Sequence, residues 1–223
     1  MPTIAIVGAG AGLGLAIARK FGQNGFSSAL IARNSEKLND LVATLAAEGI
    51  EAKGFAADTA DANALSRALS DAHKHFGSVD VLEFSPHAGN SESMVDPLEV
   101  THDTLRPAID SLLYGAVTAV QSVLPAMRAN GNGTILLTAG TGSINPVQIF
   151  GALNAAQAAT RNWALNLNGK LQGSGTYVAH VAIGVGIGEV APAPGYPFKT
   201  PAELADLYWD LHTTREVAEK VIY

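Results

Sequence analysis

No cysteine occurs in the 223 residues, which excludes disulfides, thiolate metal sites and a cysteine nucleophile. Charge is also sparse. Asp, Glu, Lys and Arg make up 15% of the chain, and 20 acidic side chains outnumber 14 basic ones for a net charge of −6. With no basic cluster to meet phosphates, a nucleic-acid partner is disfavoured. No uninterrupted apolar run approaches the roughly 18 residues of a spanning helix, so no membrane partner is expected. The start, Met1-Pro2-Thr3-Ile4, lacks the basic and apolar stretches of an export signal, and a cytoplasmic location is the expectation. Also missing are a Gly-x-Ser-x-Gly elbow, a Walker loop and a His-Glu-x-x-His pair. His73 and His75 stand two apart on a helical pattern and do not share a face, so no metal site is expected.

What the chain does have is apolar residues, 48% of the total, arranged in a rhythm. Short apolar bursts at residues 3–7, 28–32, 52–57, 79–84, 133–138 and 176–183 read as buried strands. Between them lie helical patterns, including residues 35–48 with Ser35 as N-cap and Leu38, Leu41, Val42 and Leu45 as apolar stripe. A long helix ends near Arg128, its start limited by Pro107. Thr200-Pro201-Ala202-Glu203 carries the cap, first-turn proline and capping-box acid of a final helix. Residues 221–223 can add a last short strand. Strands separated by helices imply parallel pairing with right-handed crossovers. The expected fold is α/β: one domain over residues 1–223, a Rossmann-type doubly wound parallel sheet with helices on both faces. Ligands on such a sheet bind at the carboxyl ends of the strands, near the switch point. Residues 184–200, rich in Gly and Pro, read as a structured loop or lid over that edge.

The first strand runs into Val7-Gly8-Ala9-Gly10-Ala11-Gly12-Leu13-Gly14 and then a helix. Glycines permit positive φ and a close backbone approach, and the helix start offers free N–H groups and a positive dipole end. That combination suits a dinucleotide pyrophosphate, with Gly8, Gly10, Gly12, Leu13 and Gly14 as contacts. An acidic residue about 20 positions on would bind an unsubstituted ribose. Here the second strand ends Ile31-Ala32-Arg33-Asn34, and the first acidic residue is Glu36. A small residue followed by a cation leaves room and charge for a 2′-phosphate, so NADP(H) is expected over NAD(H).

The spacing Gly8-x-x-x-Gly12-x-Gly14, the length and the final-helix pattern together resemble the short-chain dehydrogenase/reductase family across nearly the whole chain. The resemblance implies that Asp58, with Thr59, contacts the adenine end. It implies that Gly184 and Ile187 line the carboxamide end, and that the helices at residues 105–127 and 150–171 build a homodimer or homotetramer. The family's reaction uses Tyr-x-x-x-Lys on one helix, where the ammonium lowers the phenol's pKa from about 10 so that it can exchange a proton with substrate.

No Tyr-x-x-x-Lys occurs in this sequence. Phe150 stands at the tyrosine position and Asn154 at the lysine position, where an amide can still reach a ribose hydroxyl. Gly140 falls at the family's serine and Leu112 at its helix asparagine. Phe84-Ser85-Pro86-His87 replaces its Asn-Asn-Ala-Gly turn. Other proton donors near the expected site are Thr138, Thr141, Ser143, His87 and Tyr114. Three readings follow. The first is an atypical NADP(H)-dependent oxidoreductase reducing a small apolar carbonyl, imine or activated alkene without the usual tyrosine acid. The second is a non-catalytic NADP(H)-binding sensor or scaffold; the third is a lyase or cyclase on this scaffold.

Overall fold

The computed structural model describes residues 1–86 and 94–223. One sheet of seven strands organises it, in the order β3-β2-β1-β4-β5-β6-β9. These are β1 (Thr3–Val7), β2 (Ser27–Ala32), β3 (Ala52–Ala56), β4 (Val81–Phe84), β5 (Gly133–Gly140), β6 (Thr176–Ile183) and β9 (Glu219–Ile222). Every pairing in it is parallel. The order reverses between β1 and β4, which places the switch point beside the glycine turn. A separate pair, β7 (Gly186–Ile187) and β8 (Phe198–Lys199), ties the ends of the loop at residues 184–200 to each other.

Alternation along the strands assigns the two faces. Ile4, Ile6, Val81 and Leu136 pack under α1 (Leu13–Gln23), α2 (Ser35–Ala47) and α7 (Pro201–Thr214). Ala5, Val7, Leu82, Ile135 and Leu137 face α3 (Ala62–Phe76), α5 (Gly115–Ala129) and α6 (Gly151–Leu171). With both faces covered, β1 is buried at all five residues, as the continuous apolar run requires. Phe21 of α1 meets Trp209 of α7 edge to face at 5.1 Å. Among the described residues, no helix is long and apolar enough to cross a membrane.

Several expectations need correction. Asn34, not Ser35, caps α2: its side chain accepts from the Lys37 N–H while Ser35 is the first helical residue. Both residue types cap well, and the extended backbone at Asn34 decides between them. Pro107 does not limit the long helix. A reciprocal Thr101–Thr104 capping box starts α4 (His102–Ala108) upstream of it, and a π-helical stretch, Ile109–Tyr114, follows before α5. A proline removes one helical donor, and the wider turn beyond it absorbs the change in pairing. Strand β4 starts at Val81 rather than residue 79. Strand β5 runs on to Gly140, and the last strand is Glu219–Ile222 rather than residues 221–223. The Thr200 capping box of α7 is as the sequence implies, with the Glu203 carboxylate accepting from the Thr200 N–H at 2.8 Å.

Candidate functional site

The glycines of the turn divide into two kinds. Gly8 has φ +96°, and a Cβ there would lie 2.6 Å from the Ser85 carbonyl oxygen and 2.7 Å from Pro86. Its N–H donates to the Ile31 carbonyl at 2.9 Å. A Cβ on Gly14 would meet Ala9 Cα at 3.1 Å, so this glycine lets the helix close on the turn. The protein's own packing therefore explains Gly8 and Gly14. It does not explain Gly10 and Gly12, where a Cβ would meet nothing within 4 Å. Gly12 is exposed, no side chain caps α1, and the first turn of that helix carries no acid. The mouth of the turn is open, with α1's free N–H groups and positive end directed at it. No protein atom occupies the space a side chain at either position would fill, which leaves that space for a group from outside the protein. A pyrophosphate fits that description.

Leu13 opens α1 and is half-buried, and Arg33 is exposed at the tip of β2, one residue before the cap of α2. Asp58 follows β3 and is exposed; its carboxylate accepts from the Ala60 N–H at 3.0 Å, which shapes the turn into α3. The Thr59 hydroxyl is 2.8 Å from that of Ser111 in the π-helical stretch. Strand register brings these tips to one edge, since Val7 pairs with both Ile31 and Phe84, and Ala32 with Ala56.

The positions that the resemblance links to proton transfer look different. Leu112 is buried in the π-helical stretch. Phe150 is half-buried at the start of α6, its backbone N–H donating to Val147. Asn154 is buried, and its amide donates to the Val147 carbonyl at 2.8 Å. Gly140 ends β5, and the Ser143 hydroxyl turns back to donate to the Gly140 carbonyl at 2.8 Å. Thr141 packs against Gly184, where a Cβ would come within 2.8 Å of its side chain. Ile187 is exposed in β7, and Tyr114 is exposed with its phenol free of protein partners among the described residues. His87 lies outside the described residues. Local hydrogen bonds thus occupy Asn154 and Ser143.

Sequence reasoning missed Glu83. It is fully buried in β4, where the Thr138 and Ser85 hydroxyls each lie 2.9 Å from its carboxyl oxygens. Thr138 in turn is 2.7 Å from the phenol oxygen of Tyr208, itself fully buried in α7. Burial pushes the Glu83 carboxyl up to about 8, against the two hydroxyls that favour its charged form. A carboxylate inside the four-residue strand Val81-Leu82-Glu83-Phe84 was the available signal.

Comparisons with known proteins agree with this architecture. Residues 2–190 match the family model described as short chain dehydrogenase. An oxidoreductase of Staphylococcus epidermidis is 27% identical over 180 residues, which are 81% of this chain and 76% of that one. The peroxisomal 2,4-dienoyl-CoA reductase of Arabidopsis thaliana is 26% identical over 227 residues, covering 96% of this chain and 73% of that one. Among solved structures, L-sorbose reductase from Gluconobacter frateurii, complexed with NADPH and L-sorbose, superposes with a TM-score of 0.88. It is 22% identical and covers 99% of this chain and 93% of that one.

Proposed function

The chain belongs to the short-chain dehydrogenase family, and from that premise we propose that it is an NADP(H)-dependent reductase whose proton donor is not the family's tyrosine. The observation that carries the cofactor assignment is the open pair Gly10 and Gly12 beside an uncapped helix start. The L-sorbose reductase neighbour, which was solved with NADPH, supports it. Arg33, exposed at the β2 tip where an NAD site would place an acid, supports a preference for the 2′-phosphate. When bound, the dihydronicotinamide supplies a hydride to an electrophilic carbon of the substrate.

The chain's own residues do the rest. The free N–H groups of α1 bind the pyrophosphate, Asp58 and Thr59 stand at the adenine side, and Gly184 and Ile187 flank the carboxamide. With Phe150 and Asn154 in place of tyrosine and lysine, carbonyl substrates that need a strong acid fare poorly. Losing a positioned acid costs about 10²–10⁴ in rate. Imines and activated alkenes, already electrophilic, fit best. The Arabidopsis relative is named a dienoyl-CoA reductase, which supports the alkene arm. We assign the helices at residues 105–127 and 150–171 to self-association, to be read by sedimentation.

Transfer of deuterium from labelled NADPH to a panel of ketones, imines and enones tests the reading. Labelled imine or enone product is expected; cofactor binding without label in any product would leave a non-catalytic NADP(H) sensor or scaffold. The same occupied positions, Leu112, Gly140, Phe150 and Asn154, are what favour that second reading.

A further inference from the structure

Two glycines at the end of β5 make room for two amides of α6. A Cβ on Gly142 would collide with Asn154 Oδ1, and one on Gly140 would press on Gln157, 3.3 Å from its Oε1 and 3.8 Å from its Nε2. Asn154 and Gln157 stand three residues apart and share a face of the helix. Their amides differ in what they have left to offer. Asn154 is buried and spends its N–H on the Val147 carbonyl. Gln157 is half-buried, and its amide makes no hydrogen bond to a described residue.

Strands β5 and β6 set the place of Gln157 along the carboxyl edge. Gly140 and Ile183 are their paired last residues, and the point where a Gly140 Cβ would sit is also 3.8 Å from the Ile183 carbonyl oxygen. The next residue is Gly184, which the reading above puts beside the cofactor's carboxamide, and Thr141 packs on it. On a dihydronicotinamide ring the carboxamide is carried by the carbon next to the one that gives the hydride. Gln157 therefore stands at the reacting end of the edge, away from the glycine turn. Ionisable groups are missing around it: residues 140–160 and 183–188 contain no Asp, Glu, His, Lys, Arg or Tyr. A free amide in that neutral stretch offers two N–H donors that keep their hydrogens. It can hold a developing oxyanion, but it can neither protonate an alkoxide nor neutralise a cation.

We propose that Gln157 binds the carbonyl oxygen of the substrate, and that the substrate is an uncharged α,β-unsaturated carbonyl compound. The inference rests on the NADP(H) reading and narrows it. Hydride adds to the β carbon, and the alkene pair moves to form a new double bond between the α and carbonyl carbons. The carbonyl π pair passes to oxygen, which becomes an enolate oxyanion held by the Gln157 N–H. Water then protonates the α carbon, the oxygen's pair re-forms the carbonyl, and the cofactor is left oxidised. No side chain has to surrender a proton, so the missing Tyr-x-x-x-Lys pair costs this substrate class least. Ketone reduction ends on an alkoxide that needs an acid, and an imine reacts as its protonated cation, which needs an anion. Neither finds that partner beside Gln157.

Deuterated NADPH offered with 2-cyclohexenone, cyclohexanone and 2-methyl-1-pyrroline in turn tests the choice. Deuterium is expected at the β carbon of the enone product, with the ketone and the imine reduced at least about tenfold more slowly. Gln157→Leu should lower kcat/KM for the enone about 100-fold, the usual loss for one oxyanion donor, with NADPH affinity unchanged. Gln157→Glu, of the same shape but without the N–H, should do the same. Binding is read without turnover in the complex with NADP+ and 2-cyclohexenone, where the carbonyl stretch should lie at lower frequency in the unaltered protein than in Gln157→Leu. One carbonyl frequency in both proteins, or an unchanged kcat/KM in both variants, overturns the inference. So does a ketone or imine reduced as fast as the enone, or the absence of deuterium from all three products while NADPH is bound. Those outcomes leave NADP(H) binding intact, whereas failure of NADPH to bind the unaltered protein overturns both.

Discussion

The two halves of the carboxyl edge of the sheet are built on opposite plans. Around β1 and β2 the groups that could meet a ligand have no business with the protein: Gly10 and Gly12 front empty space, α1 is uncapped and Arg33 is exposed. Around β5 and α6 several of the corresponding groups are turned inward, Asn154 to Val147 and Ser143 to Gly140, with Leu112 buried between the helices. Binding and proton chemistry are separable demands on a reductase. On the proposed reading, the first half binds the cofactor and the second half has given up the family's proton source.

Substitutions can break this contrast. The largest effect is expected at Gly8, where φ is positive and the Ser85 and Pro86 backbones leave no room. Gly8→Val should cost about 4 kcal/mol or more, or prevent folding, as read by urea unfolding. Gly12→Val meets no protein atom but puts a β-branched residue at the N-cap of α1, so it should cost only about 1–2 kcal/mol in urea, while weakening NADPH binding about 100-fold in titration calorimetry because its side chain would occupy ligand space. Equal stability losses at the two positions would erase the distinction.

Glu83 makes the next prediction. Its carboxyl is shifted from 4.5 to about 8 in the folded state, so the fold holds this proton more tightly than the unfolded chain does. The associated stability is fully present below about pH 4.5 and is lost as pH rises through 8. Glu83→Gln should therefore unfold later than the unaltered protein at pH 9, by about 3 kcal/mol, and lose that advantage near pH 5. The histidines work in the other direction. Burial holds His212 down at about 4, with Arg215 beside it adding to the effect, and burial also lowers His180. Their contribution is present above about pH 6.5 and is lost as pH falls toward 4. After solvent screening at the partly exposed His212 it amounts to about 1–2 kcal/mol, and His212→Gln should flatten the acid limb of a melting-temperature profile. The smallest effect is at Arg33: Arg33→Ala should lower NADPH affinity about tenfold, near 1.4 kcal/mol, and leave NADH unchanged.

Most of the scaffold was legible because it depends on local signals. The apolar bursts, the glycine turn and the Thr200–Glu203 box each lie within a few residues. Asn34 and Ser35 were not separable because adjacent residues of equal capping ability differ only in backbone conformation. The helix through Pro107 was not legible because a proline within a helical pattern reads as its boundary, and because a π-turn leaves no periodic mark of its own. The Glu83 line was beyond reach for a different reason. Its bonds join residues 55 and 70 positions apart, and although a carboxylate within a short strand marks Glu83, nothing local pairs it with Thr138 or Tyr208. The buried His180, paired with Glu219 at 3.0 Å while Arg161 holds the same carboxylate, was hidden in the same way.

A crystal grown with NADPH puts the cofactor assignment to its sharpest trial. The pyrophosphate should lie over Gly10 and Gly12 against the first N–H groups of α1, with the 2′-phosphate within reach of Arg33. A cofactor bound elsewhere, or a turn closed over by the protein's own side chains, would contradict the account.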